Sequence, residues 1–387
     1  MAGAGPLDGV RVVEIASIGP GPFAATMLAD MGADVVRVDR TGPPSDRARR
    51  NLLGRGRRSV MADLKHPRGV EVALRLIDQA EVVLEGFRPG VMERLGLGPD
   101  TCLARNPALV YGRMTGYGQT GPLRHAAGHD INYIALGGPL GRIGRAGQPP
   151  TPPLNLVGDF GGGGMLLAFG IVCALLTARG TGRGQVVDAA MVDGSALLML
   201  PFFAGRSGDE GAFASGERGT NLLDSGAPFY DVYQTADDRW ISVGAIEPQF
   251  YLQLLHGLGL HPDELPPQLD RASWPATKAR FAEIFRQRTR DEWGKQFAGT
   301  DACVAPVLDL EEIELDPHNA ARDTFVTAGR IVQPAPAPRL SGTPGSLRRL
   351  PPVPGEHTAE VLGEWLGLDA AEIGQLRGAG AIATGEQ

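Results

Sequence analysis

The sequence predicts an α/β protein: a parallel α/β domain followed by a second, α/β or α+β unit. Three observations carry this. Apolar, β-branched runs alternate with helical stretches through the first half of the chain. The 387 residues exceed what a single hydrophobic core usually serves. Between two stretches of regular pattern, composition shifts at 205–226, "GRSGDEGAFASGERGTNLLDSG", to small and polar residues that read as a linker or long surface segment.

The elements follow in order. Residues 10–16 and 35–39 read as strands flanking a helix at about 22–31. "PRGVEVALRLIDQA" reads as the next helix, "EVVLEGF" as the next strand, and "ALVYGRMTGYG" as a strand running into a loop. The apolar run "MLLAFGIVCALLTA" at 165–178 is expected to be a buried helix, too short to cross a bilayer. "GRGQVVDAAMVDGSALLML" passes from strand to helix. Beyond the linker, "FYDVYQTADDRWISVGAIEPQFYLQLLHGLGL" begins a second unit with strands and continues into helices through about 300. A Pro-rich stretch at 332–357 leads to a closing amphipathic helix at 358–377. No repeat of solenoid period is visible.

Composition excludes several classes. A net charge of −7 argues against a polyanion binder, so neither nucleic acid nor a membrane is expected as a partner. Cys102, Cys173 and Cys303 form no CxxC pair, which suits a reducing, cytoplasmic setting and no metal. No basic-then-apolar leader is evident, and the terminal "GEQ" is not a peroxisomal address.

Gly19, Gly21 and Ala24 fit G-x-G-x-x-A after a strand, with Asp39 about 20 residues on. That pattern cradles a dinucleotide pyrophosphate with backbone N–H groups. Here Pro20 and Pro22 remove two of those donors, while Pro22 suits the first turn of a helix. The loop therefore reads as tight helix-on-sheet packing.

Four other places can carry chemistry. His129 stands in the polar loop "AGHDINY"; a loop imidazole is either a structural hydrogen-bond partner or a proton-transfer group. Asp159 precedes Gly161–Gly164 and an apolar helix. It reads as an N-cap or as a base or nucleophile, with the glycines offering N–H groups to an anion or oxyanion. Glu247 precedes Pro248 at a strand-to-helix junction, where a solvated carboxylate is the default. Six arginines between Arg47 and Arg58, then Lys65, form a basic run without interleaved aromatics, better suited to a phosphorylated small molecule than to nucleic acid.

Taken together, "GPGPFAATMLADMGADVVRVDR", "AGHDINY", "PLNLVGDFGGGG", "GRGQVVDAAMVDG", "NLLDSGAPFYDVY", "VGAIEPQFY" and "GEHTAEVLGEWLGL" resemble, in order and over nearly the whole chain, the α-methylacyl-CoA racemase branch of the family III (CaiB/BaiF-type) CoA-transferase superfamily. The resemblance implies a Rossmann-like large domain from 1–190, a linker helix and connector at 191–225, a smaller α+β domain at 226–318, and a segment at 319–387 that returns to the large domain. It implies an interlocked homodimer with active sites between the large domain of one chain and the small domain of the other. It places CoA, which is part of the substrate rather than a cofactor, at Arg40, Ala62, Asp63, Leu64, Lys65, Arg88, Gly128, Asp130, Ile131, Asn132 and Tyr133. It assigns proton removal from the 2S thioester to His129 and from the 2R thioester to Asp159. Glu247, from either chain, orients His129, Asp130 supports the pair, and the glycine run steadies the enolate.

Within that superfamily the other reading is CoA transfer between acids, with the Asp159 carboxylate forming a mixed anhydride. That reaction needs neither His129 nor Glu247. A non-catalytic acyl-CoA binder and a nicotinamide oxidoreductase fit the residues less well.

Overall fold

The computed structural model describes residues 5–42, 46–203 and 216–385. Much of the linker expected at 205–226, and the Arg47 side chain, lie outside this description. Two units divide the chain: Met1–Gly137 with Leu154–Leu198 and His318–Gln387, and Gly138–Pro153 with Met199–Pro317. The stretch 138–153 thus groups with the second unit, and the helix Met191–Leu198 with the first.

The first unit is built on six parallel strands: β1 (Arg11–Ile15), β2 (Asp34–Asp39), β3 (Arg57–Ala62), β4 (Val82–Glu85), β5 (Val110–Thr115) and β6 (Val186–Ala190). Their spatial order is 3-2-1-4-5-6, which is the Rossmann order, and the chain's direction of winding reverses between β1 and β4. Both faces of the sheet are covered at its centre, so β1, β2 and β4 carry apolar residues on both sides. Val13, Ile15, Val36 and Val83 face one core with the helix Thr358–Leu366 and helix α2 (Pro67–Asp78). Val12, Val35, Val82 and Val110 face another with helix α1 (Pro20–Asp30) and the helix Leu166–Thr181.

The expected helix at 165–178 is part of a longer one. A π-helical stretch, Leu156–Met165, runs directly into Leu166–Thr181. The combined 26 residues are long and apolar enough to cross a membrane, contrary to the sequence expectation. Leu167, Ile171, Ala174, Leu175 and Ala178 are nevertheless buried on the sheet, as a core helix requires.

The basic run is largely absorbed into the fold. Arg57, wholly buried, pairs with Glu14 at 2.5 Å and donates to the Pro22 carbonyl. Arg55 pairs with Asp30 at 2.5 Å, Arg58 pairs with Asp34, Glu360 and Glu364, and Arg49 reaches Glu356. These guanidiniums lock the strands to α1 and to the C-terminal segment; they do not form a phosphate patch.

In the second unit β7 (Tyr230–Gln234), β8 (Trp240–Gly244) and β9 (Val304–Pro306) form an antiparallel sheet. Its core is aromatic: Phe229, Tyr233, Phe281, Phe285 and Trp293. The returning segment contributes a hairpin, β10 (Phe325–Ala328) with β11 (Ile331–Pro334). Its last strand, β12 (Ile382–Ala383), pairs antiparallel with β3 and covers the sheet edge. The single closing helix expected at 358–377 is two helices, Thr358–Leu366 and Ala370–Gly378. Gly367, at φ 68°, ends the first, and a capping box of Asp369 and Glu372 starts the second.

Candidate active site

Open α/β sheets bind ligands at the carboxyl ends of their strands, where the winding reverses. A cleft of about 330 Å³ opens there. Its walls come from Ile18–Pro20 after β1, Gly86–Pro89 after β4 and Thr115–Tyr117 after β5, with Gly128, His129, Tyr133 and Asp159.

The loop after β1 is shaped for a different neighbour than a pyrophosphate. Gly19 has φ +70°, a conformation that favours glycine, and a Cβ there would lie 3.6 Å from the Asp159 Oδ2. Asp39, the acid expected to meet a ribose, accepts from Arg37 at 2.9 Å and from Ser59 at 2.6 Å. The fingerprint therefore packs a helix and approaches a carboxylate.

His129 opens the helix Asp130–Gly137. Its carbonyl accepts from the Asn132 and Tyr133 N–H groups, and its own N–H donates to Asn132 Oδ1 at 3.1 Å. The loop before it is braced by Tyr133, whose hydroxyl donates to the Gly128 carbonyl and whose ring meets Tyr117 edge-on at 5.0 Å. A Cβ on Gly116 would stand 2.2 Å from the Tyr133 ring, so only glycine lets that ring lie beneath the cleft. The imidazole is left exposed.

Asp159 sits in the first turn of the π-helical stretch and is partly buried. It is not the helix cap. Asn155 precedes the helix and donates from Nδ2 to Asp159 Oδ2 at 3.0 Å. Burial raises the Asp159 pKa, and the charge of Asp130 raises it further; the Asn155 hydrogen bond and the nearby His129 oppose this. His129 and Asp159 thus line one cleft, and the Asp159 carboxylate lies close enough to feel the imidazole.

The glycine run does not lie at the helix N-terminus, as the sequence suggested, but inside the helix. Gly162, Gly163 and Gly164 are buried. A Cβ on Gly162 would lie 2.7 Å from the Ser195 backbone nitrogen; one on Gly164 would lie 2.8 Å from the Pro20 carbonyl. These glycines let three helical segments touch, and packing, rather than an oxyanion site, is what requires them.

Of the residues expected around CoA, Arg88, Gly128 and Tyr133 line the cleft. Asp130 does not. Its carboxylate is buried and turned inward, accepting from the Gly158 and Asp159 N–H groups at 2.6 and 2.7 Å. Ile131 and Asn132 are exposed on the helix but outside the cleft lining. Arg40 follows β2, and Ala62 ends β3 ahead of Asp63, Leu64 and Lys65, so all five lie along the same carboxyl edge of the sheet. Ala62 is wholly buried and Arg40 and Lys65 are exposed. Glu247 belongs to the second unit, exposed just before the helix Pro248–Gly257, with its carbonyl accepting from the Phe250 and Tyr251 N–H groups. Sequence reasoning missed Thr115, Tyr117, Arg124 and Met191 as lining residues. Its own strand reading of 108–118, combined with the switch-point rule, points to the first two.

Residues 7–358 match CoA-transferase family III. The chain belongs to that family. It is 52% identical over 373 residues to an alpha-methylacyl-CoA racemase of Mus musculus and 50% identical to one of Homo sapiens, in each case over 96% of both chains. A crystal structure of a CAIB/BAIF family protein from Brucella suis superimposes with a TM-score of 0.81 at 25% identity, covering 93% of this family III chain and 99% of its own.

Proposed function

We propose that this chain is an isomerase that interconverts the 2R and 2S forms of 2-methylacyl-CoA thioesters by two-base proton exchange through an enolate. The observation that carries the reading is that His129 and Asp159 line one cleft at the sheet's switch point, in a chain half identical to two racemases.

A thioester α-proton is weakly acidic, so its removal needs a positioned base and a stabilised enolate oxygen. Inversion needs a second group able to return a proton to the opposite face. His129 accepts the proton of the 2S substrate while Asp159 donates; the 2R substrate is handled in reverse. The raised pKa of Asp159 brings its two protonation states closer in energy near neutral pH, which suits a carboxylate that must both take and give a proton. The N-terminal end of the helix Asp130–Gly137 begins at the cleft and favours the negative charge of the enolate. Proton exchange at C2 involves no net redox change, so no cofactor enters the proposal. The nucleotide part of CoA follows the carboxyl edge of the sheet past Arg40, Asp63, Leu64 and Lys65, with Arg88 nearer the thioester.

A homodimer completes the proposal. The helix Leu166–Thr181 presents an apolar outer face, with Phe169 67% and Leu176 70% exposed and Met165 just before them. A second copy of the chain is the proposed cover, and Glu247 of the partner subunit the proposed carboxylate behind His129.

The test is incubation of a 2-methylacyl-CoA in deuterium oxide with wild type, His129→Ala and Asp159→Ala. Wild type is expected to wash deuterium into C2 while inverting it, and both variants to lose inversion. Transfer of CoA to an added carboxylic acid without deuterium at C2 overturns the proposal in favour of the anhydride route.

A further inference from the structure

We infer that Asp130 is a positioning residue for the proton exchange, tying the His129 loop to the Asp159 segment so that the two bases keep one spacing. This rests on the two-base reading above. Asp130 follows His129 directly and is 5% exposed. Its Oδ2 accepts from Gly158 N at 2.6 Å and from Asp159 N at 2.7 Å. One carboxylate oxygen thus satisfies two N–H groups at the start of a helix whose own preceding residue, Asn155, makes no cap hydrogen bond to its backbone. The capping duty that sequence logic offers to Asp159 is carried by Asp130 from another element. Asp159 is thereby free to face the cleft.

Three further features fit a device rather than a chance contact. A Cβ on Gly158 would stand 2.6 Å from Asp130 Oδ2, so glycine is what lets the carboxylate reach the backbone. The other oxygen, Oδ1, is buried with no hydrogen-bond partner among the described residues. A buried charge held so incompletely is costly for stability alone. Its placement acts on Asp159, because a neighbouring negative charge raises the pKa of a carboxyl. Asp130, His129, Asn155 and Tyr133 surround Asp159, and Arg88, Arg124 and Tyr117 face it across the same cleft. Of these, Asp130 alone both fixes the Asp159 backbone and opposes its ionisation through charge.

The two roles separate by substitution. Asp130→Asn keeps an acceptor oxygen for the two N–H groups but removes the charge. Asp130→Ala removes both, and Gly158→Ala pushes the carboxylate away while leaving it present. The readouts are kcat and KM for each isomer against pH, and the Asp159 titration followed by carboxyl carbon-13 NMR, assigned with Asp159→Asn. Asp130→Asn is expected to move the Asp159 titration, and the limb of kcat it sets, to lower pH. Asp130→Ala and Gly158→Ala are expected to lose tenfold or more in kcat beyond Asp130→Asn, with KM changed less than threefold. An Asp159 titration unmoved in Asp130→Asn, or a kcat in Gly158→Ala equal to wild type, overturns the inference. The NMR arm needs no turnover, so a wild type that fails to racemise while its titration moves as expected condemns the two-base reading and leaves the positioning role standing.

Discussion

Gly162→Ala tests whether the glycine run serves packing or anion binding, because the two readings differ in sign. In an open helical position alanine is favoured over glycine by about 1 kcal/mol. At Gly162 the new methyl would stand 2.7 Å from Ser195 N, 2.8 Å from the Gly194 carbonyl carbon and 3.1 Å from the Val157 carbonyl oxygen. All three are backbone atoms of packed helices, so no flexible side chain can give way. The reverse contact is as tight: a Cβ on Gly194 would lie 1.8 Å from the Gly162 carbonyl. Overpacking costs about 1–3 kcal/mol, and three immovable backbone contacts put this position in the upper part of that range, about 2–3 kcal/mol, which leaves a net loss of about 1–2 kcal/mol after the propensity gain. For a folding unit of this size that lowers the thermal midpoint by roughly 2–8 °C. Asp159 lies on the same π-helical stretch, and a displacement of about 1 Å there is expected to lower kcat by about a hundredfold. Thermal melts read by circular dichroism, with kcat measured well below the midpoint, provide the assay. A midpoint equal to or above wild type refutes the packing argument.

Two further outcomes are expected. Burial pushes the Glu85 carboxyl up to about 7, against the Phe87 N–H and the Arg113 guanidinium that favour its ionised form. A raised folded-state pKa means that the folded protein holds this proton more tightly than the unfolded chain. Its contribution to stability is full below the ordinary carboxylate range and is lost as pH rises through about 7. Urea midpoints from pH 4.5 to 8 should therefore fall less steeply in Glu85→Gln than in wild type; parallel curves contradict this. Phe169→Glu places a charge on the exposed apolar face of Leu166–Thr181; under the proposed homodimer, sedimentation should give the variant half the wild-type mass, whereas an unchanged mass would remove that face from the interface.

The large-domain architecture was legible because its strands are buried on both faces and read as apolar runs. Val12, Val13, Val35, Val36, Val82 and Val83 mark three neighbouring strands of the sheet in the sequence itself. The same local logic failed where distant segments compete. Gly161–Gly164 look like an anion cradle from their neighbours in sequence, yet Ser195 and Pro20, far along the chain, decide their role. Arg55, Arg57 and Arg58 look like a surface patch, yet each finds a carboxylate more than twenty positions away. Asp130 looks like a pocket residue because His129 is one, but the first turn of its helix directs its carboxylate to Gly158 and Asp159. The pairing of β12 with β3 closes more than three hundred residues of chain, and a two-residue strand leaves almost no trace in composition. His129 and Asp159 were nameable from their motifs; that they share a cleft required the sheet order.

The central claim is that the imidazole and the carboxylate serve opposite faces of one carbon. Separate 2S and 2R thioesters, each incubated in deuterium oxide with Asp159→Asn and with His129→Ala and scored for deuterium at C2 and for configuration, test it most directly. The account expects Asp159→Asn to exchange the α-hydrogen of the 2S isomer with retention and leave the 2R isomer untouched, with His129→Ala showing the mirror-image pattern. Either variant exchanging both isomers at equal rates would show that one base reaches both faces, and the account would fall.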